Sequence, residues 1–133
     1  MEKDYKKEAI QRFSGDIYAT QTTGIKIDEV SLTTCKCSFK IEKQHLNAAN
    51  SVMGGAIFTL ADFTFAVAAN VDSPLTVSLS SQINFVGVAR GEVLLSSARC
   101  IKSGKTTCVY EIIITDELEN LVAYVTTTGF RKN

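Results

Sequence analysis

The chain has 133 residues, 45% of them hydrophobic, enough for one domain to close a core without disulfide or metal staples. Fourteen Lys and Arg balance fourteen Asp and Glu, which leaves no basic excess to hold a nucleic-acid backbone and no acidic tail. The N-terminal MEKDYKKEAIQRF is charged and lacks the continuous apolar stretch of a signal peptide, and the long apolar run further on carries Asp62 and Asn70, so a soluble cytoplasmic protein without a membrane span is expected.

In chain order, residues 3–13 place Tyr5, Ile10 and Phe13 among charges in an amphipathic helical pattern. DIYATQTTG (16–24) reads as a second short helix, capped by Asp16 and ended by Gly24. Strands are expected at about 25–31 and 33–42. Cys35 and Cys37 in the second of these share a face with Phe39 and Ile41, because side chains alternate along a strand. Cys100 and Cys108 also fall in strand-like runs. With no metal-ligand spacing and with His45 the only histidine, the four cysteines read as small buried apolar residues, and no metal site is expected.

KQHLNAANSVM (43–53) has no period and reads as a loop into a helix over 54–71. From Val77 to Phe85 apolar and polar residues alternate, the pattern of a half-buried strand whose inner face is Val77, Leu79, Ile83 and Phe85. Arg90-Gly91, the Lys102–Lys105 turn and Asp116–Asn120 then separate three more strand-like runs, predicting a four-stranded antiparallel meander with the 77–85 strand. No repeat, linker or low-complexity stretch suggests a second domain, so residues 1–133 are read as one.

Asp62 is the only charged residue between Gly54 and Val71. A carboxylate among Phe58, Leu60, Phe63 and Phe65 loses water on folding, which costs free energy unless the group is paired, protonated or used for chemistry. A helix apolar nearly all round must also be covered on most sides, and a curved antiparallel sheet is the other large element available. The order of elements therefore predicts an α+β, hotdog-type architecture: five to six strands wrapped around one long central helix, with a short helical N-terminus. One copy would leave part of that helix and a sheet edge uncovered, so a homodimer is expected, with a dimer of dimers as its extension.

The run GGAIFTLADFTFAVAAN resembles the start of the central helix in the PaaI-type hotdog acyl-CoA thioesterases, which typically begins HGG and continues through an Ile-Phe and a Leu-Ala-Asp pattern. His45-Leu46-Asn47 stands where that family carries an HxN element, and INFVGVARGE (83–92) is similar to a family strand. The resemblance implies hydrolysis of an acyl-CoA thioester across a dimer interface, with Asp62 as the catalytic carboxylate, Asn47 orienting water or substrate, and Gly54 or Gly55 offering backbone N–H to the thioester carbonyl. It implies no cofactor beyond the coenzyme A of the substrate. Residue chemistry agrees, since glycines admit close approach and the first N–H groups of a helix are unsatisfied and favour negative charge. Asp62 lies about 12 Å along the helix from Gly54, so the two are expected to meet across subunits.

Ser78 occupies the place of a hydroxyl residue that assists the water in some relatives, although strict alternation turns it away from the helix unless a bulge near Ser80-Ser81 turns it back. His45 stands either beside the substrate or as a hydrogen-bonded bystander. Met53 replaces the histidine of HGG, which matters if that side chain fixes the carbonyl and little if the position acts through its backbone. Phe58, with Phe63 and Phe65, is a candidate wall for the acyl group. Coenzyme A phosphates need cations or N–H groups, for which Arg90, Lys102, Gly104 and Lys105 are candidates. The other reading of Asp62 is a carboxylate held by a buried hydrogen bond from Thr59, Thr64 or a partner backbone. A non-catalytic acyl-CoA-binding or regulatory domain is the alternative function. A hotdog dehydratase is disfavoured, because its chemistry pairs an acid with a histidine and His45 is the only one available.

Overall fold

The Asp4 carboxylate starts the first helix, α1 (Tyr5–Arg12), by accepting the Lys7 N–H at 3.0 Å. The computed structural model describes residues 3–132. Helix α1 buries Ala9 and leaves Ile10 exposed, while Phe13 meets Phe63 edge to face at 5.7 Å. A π-helical turn, Tyr18–Thr22, stands where a capped helix was expected over 16–24. Asp16 does not cap it with its side chain: its carbonyl oxygen accepts the Thr20 N–H (2.9 Å) and hydroxyl (2.8 Å), and its carboxylate has no hydrogen-bond partner among the described residues. Gly24, at φ +83°, ends the turn in a conformation that suits glycine.

Six strands follow: β1 (Lys26–Val30), β2 (Thr34–Lys40), β3 (Thr76–Phe85), β4 (Val93–Ser103), β5 (Thr107–Asp116) and β6 (Leu121–Arg131). They form one antiparallel sheet in the order β1-β2-β4-β5-β6-β3. The long helix α2 (Gly54–Ala69) lies against one face. Between them are buried Phe39, Leu60, Phe65, Leu94, Ile112 and Val125. Cys35, Cys37 and Cys108 are buried too, and all four cysteines are free, with Cys35 and Cys37 Sγ atoms 3.7 Å apart. Among the described residues no helix is long and apolar enough to cross a membrane.

The four-stranded meander does not form. Strands β4, β5 and β6 follow one another, but β3 pairs with the far side of β6, and β2 takes the place beside β4. Helix α2, 16 residues and about 24 Å long, carries the chain from β2 to the opposite edge of the sheet. The connection 86–92 is too long for a tight hairpin and runs along the sheet instead, with the Val86 and Gly87 N–H groups donating to Val122 O at 3.0 and 3.1 Å.

Strand β3 also departs from strict alternation. A bulge between Ser78 and Ser80 leaves Ser78 opposite Gly129 and Ile83 opposite Val125. Directly opposed residues of an antiparallel pair project to the same face, and a Cβ on Gly129 would point at Phe65 of α2. Ser78 is therefore on the helix face of the sheet and Val77, opposite Phe130, on the outer face, the reverse of the expected parity. As an edge strand β3 is not half-buried in the single chain: Leu79 is 64% exposed and Phe85 54%.

The end of α2 is fixed by Asn70, whose amide donates to Ala66 O (2.7 Å) and Thr76 O (3.0 Å) and whose Oδ1 accepts the Thr76 N–H (2.8 Å). Arg12 Nη1 adds a bond to Asn70 O at 2.6 Å, a cation placed at the negative end of the helix.

Candidate active site

The face of α2 turned away from the sheet carries its least covered residues, Gly55, Phe58, Thr59, Asp62 and Ala66, at helical spacing. Asp62 is half-buried there, in a cleft of about 350 Å³ between this face and the turn at Asp16–Ala19. Burial pushes its carboxyl above the usual range, and the nearby Asp16 charge pushes it further. No hydrogen bond reaches the Asp62 carboxylate among the described residues. The Thr59 and Thr64 hydroxyls are committed to Gly55 O and Leu60 O, each at 2.7 Å, so of the donors the structural reading of Asp62 offered these two do not hold it, and the third, a partner backbone, lies outside a single copy.

At the start of α2, Met53 O accepts both the Ala56 N–H (2.9 Å) and the Ile57 N–H (3.1 Å). The Gly54 and Gly55 N–H groups have no partner among the described residues, leaving a pair of donors at the positive end of the helix. Gly54 borders a second cleft, of about 200 Å³, lined also by Ser51, Val52, Phe85 and Gly87. A Cβ on Gly54 would stand 3.2 Å from Phe85 Cζ, whereas one on Gly55 would meet nothing within 4 Å. The two clefts have no lining residue in common. Eight residues at 1.5 Å rise separate Gly54 from Asp62, about 12 Å along the axis.

The loop before α2 is built on hydrogen bonds. Asn47 Oδ1 accepts the Ala49 N–H (2.9 Å) and Ser51 N–H (3.1 Å), leaving its amide nitrogen without a partner among the described residues. His45 is 4% exposed. Its Nδ1 accepts the Glu42 N–H at 2.9 Å, so its Nε2 carries the proton and donates to Thr23 O at 2.8 Å. Neither ring nitrogen is left for a ligand, which corrects the placement of His45 beside the substrate. Through its carbonyl, which accepts the Met53 N–H at 2.8 Å, His45 fixes the approach to the glycine pair. Met53 itself is 56% exposed and caps the helix with its backbone alone.

The Thioesterase superfamily profile matches residues 49–123, the stretch from this loop through α2 to the start of β6. The acyl-coenzyme A thioesterase PaaI of Escherichia coli K12 is 33% identical over 102 residues, covering 75% of this chain and 72% of that protein. The chain belongs to the thioesterase superfamily. It is of the PaaI type and has the hotdog fold: the structure of E. coli PaaI superposes with a TM-score of 0.89 at 25% identity, over 97% of this chain and 94% of that one. A hypothetical thioesterase protein from Streptococcus pneumoniae TIGR4, with coenzyme A, superposes with a TM-score of 0.84 at 25% identity, over 93% and 97%. As a member of this family the protein is a thioester hydrolase.

In this thioesterase the candidate cations divide between the two ends of the sheet. Arg90 precedes β4, near the Gly54 cleft, whereas Lys102 lies at the far end of β4 and Gly104 and Lys105 in the turn after it, so β4 holds the two groups about 30 Å apart. All four are exposed, and Gly104 closes its turn through its N–H to Thr107 O at 2.8 Å. The Arg90 backbone is clamped: Asp116 Oδ2 accepts its N–H (2.8 Å) and that of Gly91 (3.1 Å), while Oδ1 accepts from Leu118 (3.0 Å) and Asn120 (2.9 Å). Burial by itself raises the Asp116 carboxyl, but these donors and the Asn120 side chain outweigh it and hold the group well below the usual carboxylate range. Ser78, although on the helix face, lines neither cleft within one chain. Phe58 and Phe63 line the Asp62 cleft, while Phe65 is fully buried in the core.

Sequence reasoning missed two neighbours of these clefts. Phe85 packs over Gly54, a contact that depends on β3 lying at the far edge. Asp16 faces the Asp62 cleft instead of capping a helix. Its only signal in the sequence is an acid beside the apolar pair Ile17-Tyr18.

Proposed function

We propose that the protein hydrolyses acyl-coenzyme A to a free acid and coenzyme A, at sites composed between two copies of the chain. Asp62 carries this reading: a half-buried carboxylate without a hydrogen-bond partner among the described residues, raised by burial, on the open face of α2 in a largely apolar cleft. Such a carboxylate is a better base than an exposed one. The name of the E. coli relative and the coenzyme A in the streptococcal neighbour support the substrate class.

In the proposed reaction Asp62 takes a proton from water as its oxygen adds to the thioester carbonyl. The oxyanion is received by the Gly54 and Gly55 N–H groups of the second copy. Collapse breaks the C–S bond, and the departing thiolate takes from Asp62 the proton that water gave up. A direct attack by Asp62 would form an acyl anhydride that water then opens, and it needs the same ionised group. The free amide of Asn47 and the Ser78 hydroxyl, brought onto the helix face by the bulge, are the candidates to orient the water. No cofactor enters these steps, and coenzyme A takes part only within substrate and product.

The free edge of β3, its exposed Leu79 and Phe85, and the open face of α2 support pairing of two copies as the minimal unit, with a dimer of dimers as its extension. Phe58, Phe63 and Ala66 suit an aromatic or a short to medium aliphatic acyl group. Because β4 separates them, Arg90 with Met53 and the Lys102–Lys105 turn would meet different parts of a bound coenzyme A, or the same part from different copies. The four free thiols suit the reducing cytoplasm.

A panel of acyl-CoA thioesters read by thiol release, on the wild type and Asp62→Ala, tests the proposal. Turnover by the wild type, lost in the variant while coenzyme A binding persists, is expected. If coenzyme A binds and no thioester is cleaved, the non-catalytic binding domain replaces the enzyme, a reading that Met53 at the family's histidine position favours.

A further inference from the structure

Asp62 does not have its cleft to itself. Across from α2 the wall is the turn carrying Asp16, Ile17 and Tyr18, and the ionisable groups lining the cleft are Asp16, Tyr18 and Asp62, with no cation among them. Asp16 has no salt bridge and, through its side chain, no hydrogen bond among the described residues, so nothing there neutralises it. The turn is held in place by its backbone: Thr20 N–H and hydroxyl bind Asp16 O, Thr23 N–H binds Tyr18 O (2.9 Å), and Ile25 N–H binds Ala19 O (3.0 Å). The Asp16 charge is felt at Asp62, where it adds to the effect of burial.

We infer that Asp16 is a specificity-determining residue, which makes the acyl subsite beside Asp62 an anionic cleft that admits uncharged acyl groups and turns away those ending in a carboxylate. The inference rests on the proposed acyl-CoA hydrolysis at this cleft. An attacked carbonyl must come within about 3–3.5 Å of the attacking atom, so the next few carbons of the acyl group lie in the same cleft. The distal carboxylate of a four-carbon diacid would then stand among two like charges, with no cation among the residues that one copy contributes to the cleft. Rejection of this kind works by repulsion, without any new attractive contact. Asp16 is exposed, which screens it and limits its effect to roughly tenfold, diminishing as salt is raised.

Butyryl-CoA and succinyl-CoA match in chain length and differ in the terminal charge. Their kcat/KM ratio is measured at low and high salt for the wild type, Asp16→Asn and Asp16→Ser, and the Asp62 carboxyl is titrated by carbon NMR in the same proteins. Both variants should raise succinyl-CoA relative to butyryl-CoA by about tenfold at low salt and less at high salt, and should move the Asp62 midpoint to lower pH. An unchanged ratio in a folded variant overturns the inference while leaving the hydrolase reading intact. If the wild type cleaves neither thioester, the proposed reaction fails on its own. The Asp62 midpoint and competition binding of the two thioesters then decide: movement and relief of discrimination uphold the role of Asp16, and their absence overturns it.

Discussion

Replacing Asp62 by Asn separates a functional carboxylate from a structural one, because the two readings predict opposite changes in stability. The side chains have nearly the same shape, and no hydrogen bond or ion pair among the described residues is lost. What changes is a half-buried charge that burial, and then Asp16, make costly. Asp62→Asn should therefore be as stable as the wild type or more so at pH 7, by on the order of 1 kcal/mol after allowing for the partial exposure of the group. The folded pKa lies above the unfolded value of about 3.9, so the stability of the wild type relative to the variant is fully present below that pH and is lost as pH rises through the folded pKa. The two proteins should thus converge in acid and diverge towards neutrality. Thiol release should fall about 10²–10⁴-fold, the loss expected when a positioned base is removed. Urea unfolding at pH 4 and pH 7, beside acyl-CoA turnover, checks both halves. Destabilisation by more than about 1 kcal/mol at pH 7, with turnover within about threefold of the wild type, would refute the reasoning and return Asp62 to a structural role.

His45→Ala removes a buried ring that joins Glu42 to Thr23 and packs against Phe39 with centroids 4.3 Å apart; it should cost about 2–4 kcal/mol in urea unfolding. Under conditions where the variant is folded, KM for acyl-CoA should stay within about threefold, since no ring nitrogen is left for substrate. Asp116→Asn should loosen the connection carrying Arg90 and Gly91. Because the Asp116 carboxyl is held below its ordinary value, its contribution is present above the unfolded pKa of about 3.9 and lost as pH falls through the folded one, so the wild-type advantage over the variant should shrink below about pH 4 in acid unfolding curves.

Much of the architecture was legible because one physical signal dominates it. A helix without a polar face, interrupted by a single acid, has to be wrapped, and β-rich flanking sequence leaves a sheet to do it. Strand order was not legible: β3 joins β6 through pairing that turn residues do not encode, and the length of α2 determines which edge the chain reaches. The parity of β3 was hidden for a local reason. In VSLSSQINF the polar run Ser80-Ser81-Gln82 looks the same with or without an inserted residue, so the bulge that puts Ser78 on the helix face left no mark on the pattern. His45 sits in a stretch with no period, where burial cannot be read. Asp62, Gly54 and Gly55 stood out because each breaks a local rule, a charge in an apolar helix and glycines at a helix start. Asp16 broke none, since an acid before a short helix is what capping predicts.

The separation of the two clefts leads to a test of composition between copies. Gly54→Val would place its Cβ 3.2 Å from Phe85 Cζ and 3.3 Å from Cε1, and its methyls in the cleft where the carbonyl must approach. Phe85 is an exposed ring on an edge strand and can yield by a few tenths of an ångström, so the variant should fold and lose turnover. Asp62→Asn should be inactive for a different reason. If Asp62 of one copy serves the glycine pair of the other, a mixed dimer of the two variants has one site with both lesions and one with neither. Random pairing makes roughly half of the dimers mixed, so an equimolar co-refolded mixture should recover roughly a quarter of wild-type activity from two dead parents. If a site were built within one copy, each site of the mixed dimer would still carry a lesion and nothing would return. Recovery that tracks the fraction of mixed dimer, separated by a tag on one variant, is the outcome that the 12 Å between Gly54 and Asp62 demands of about eight residues of rigid helix.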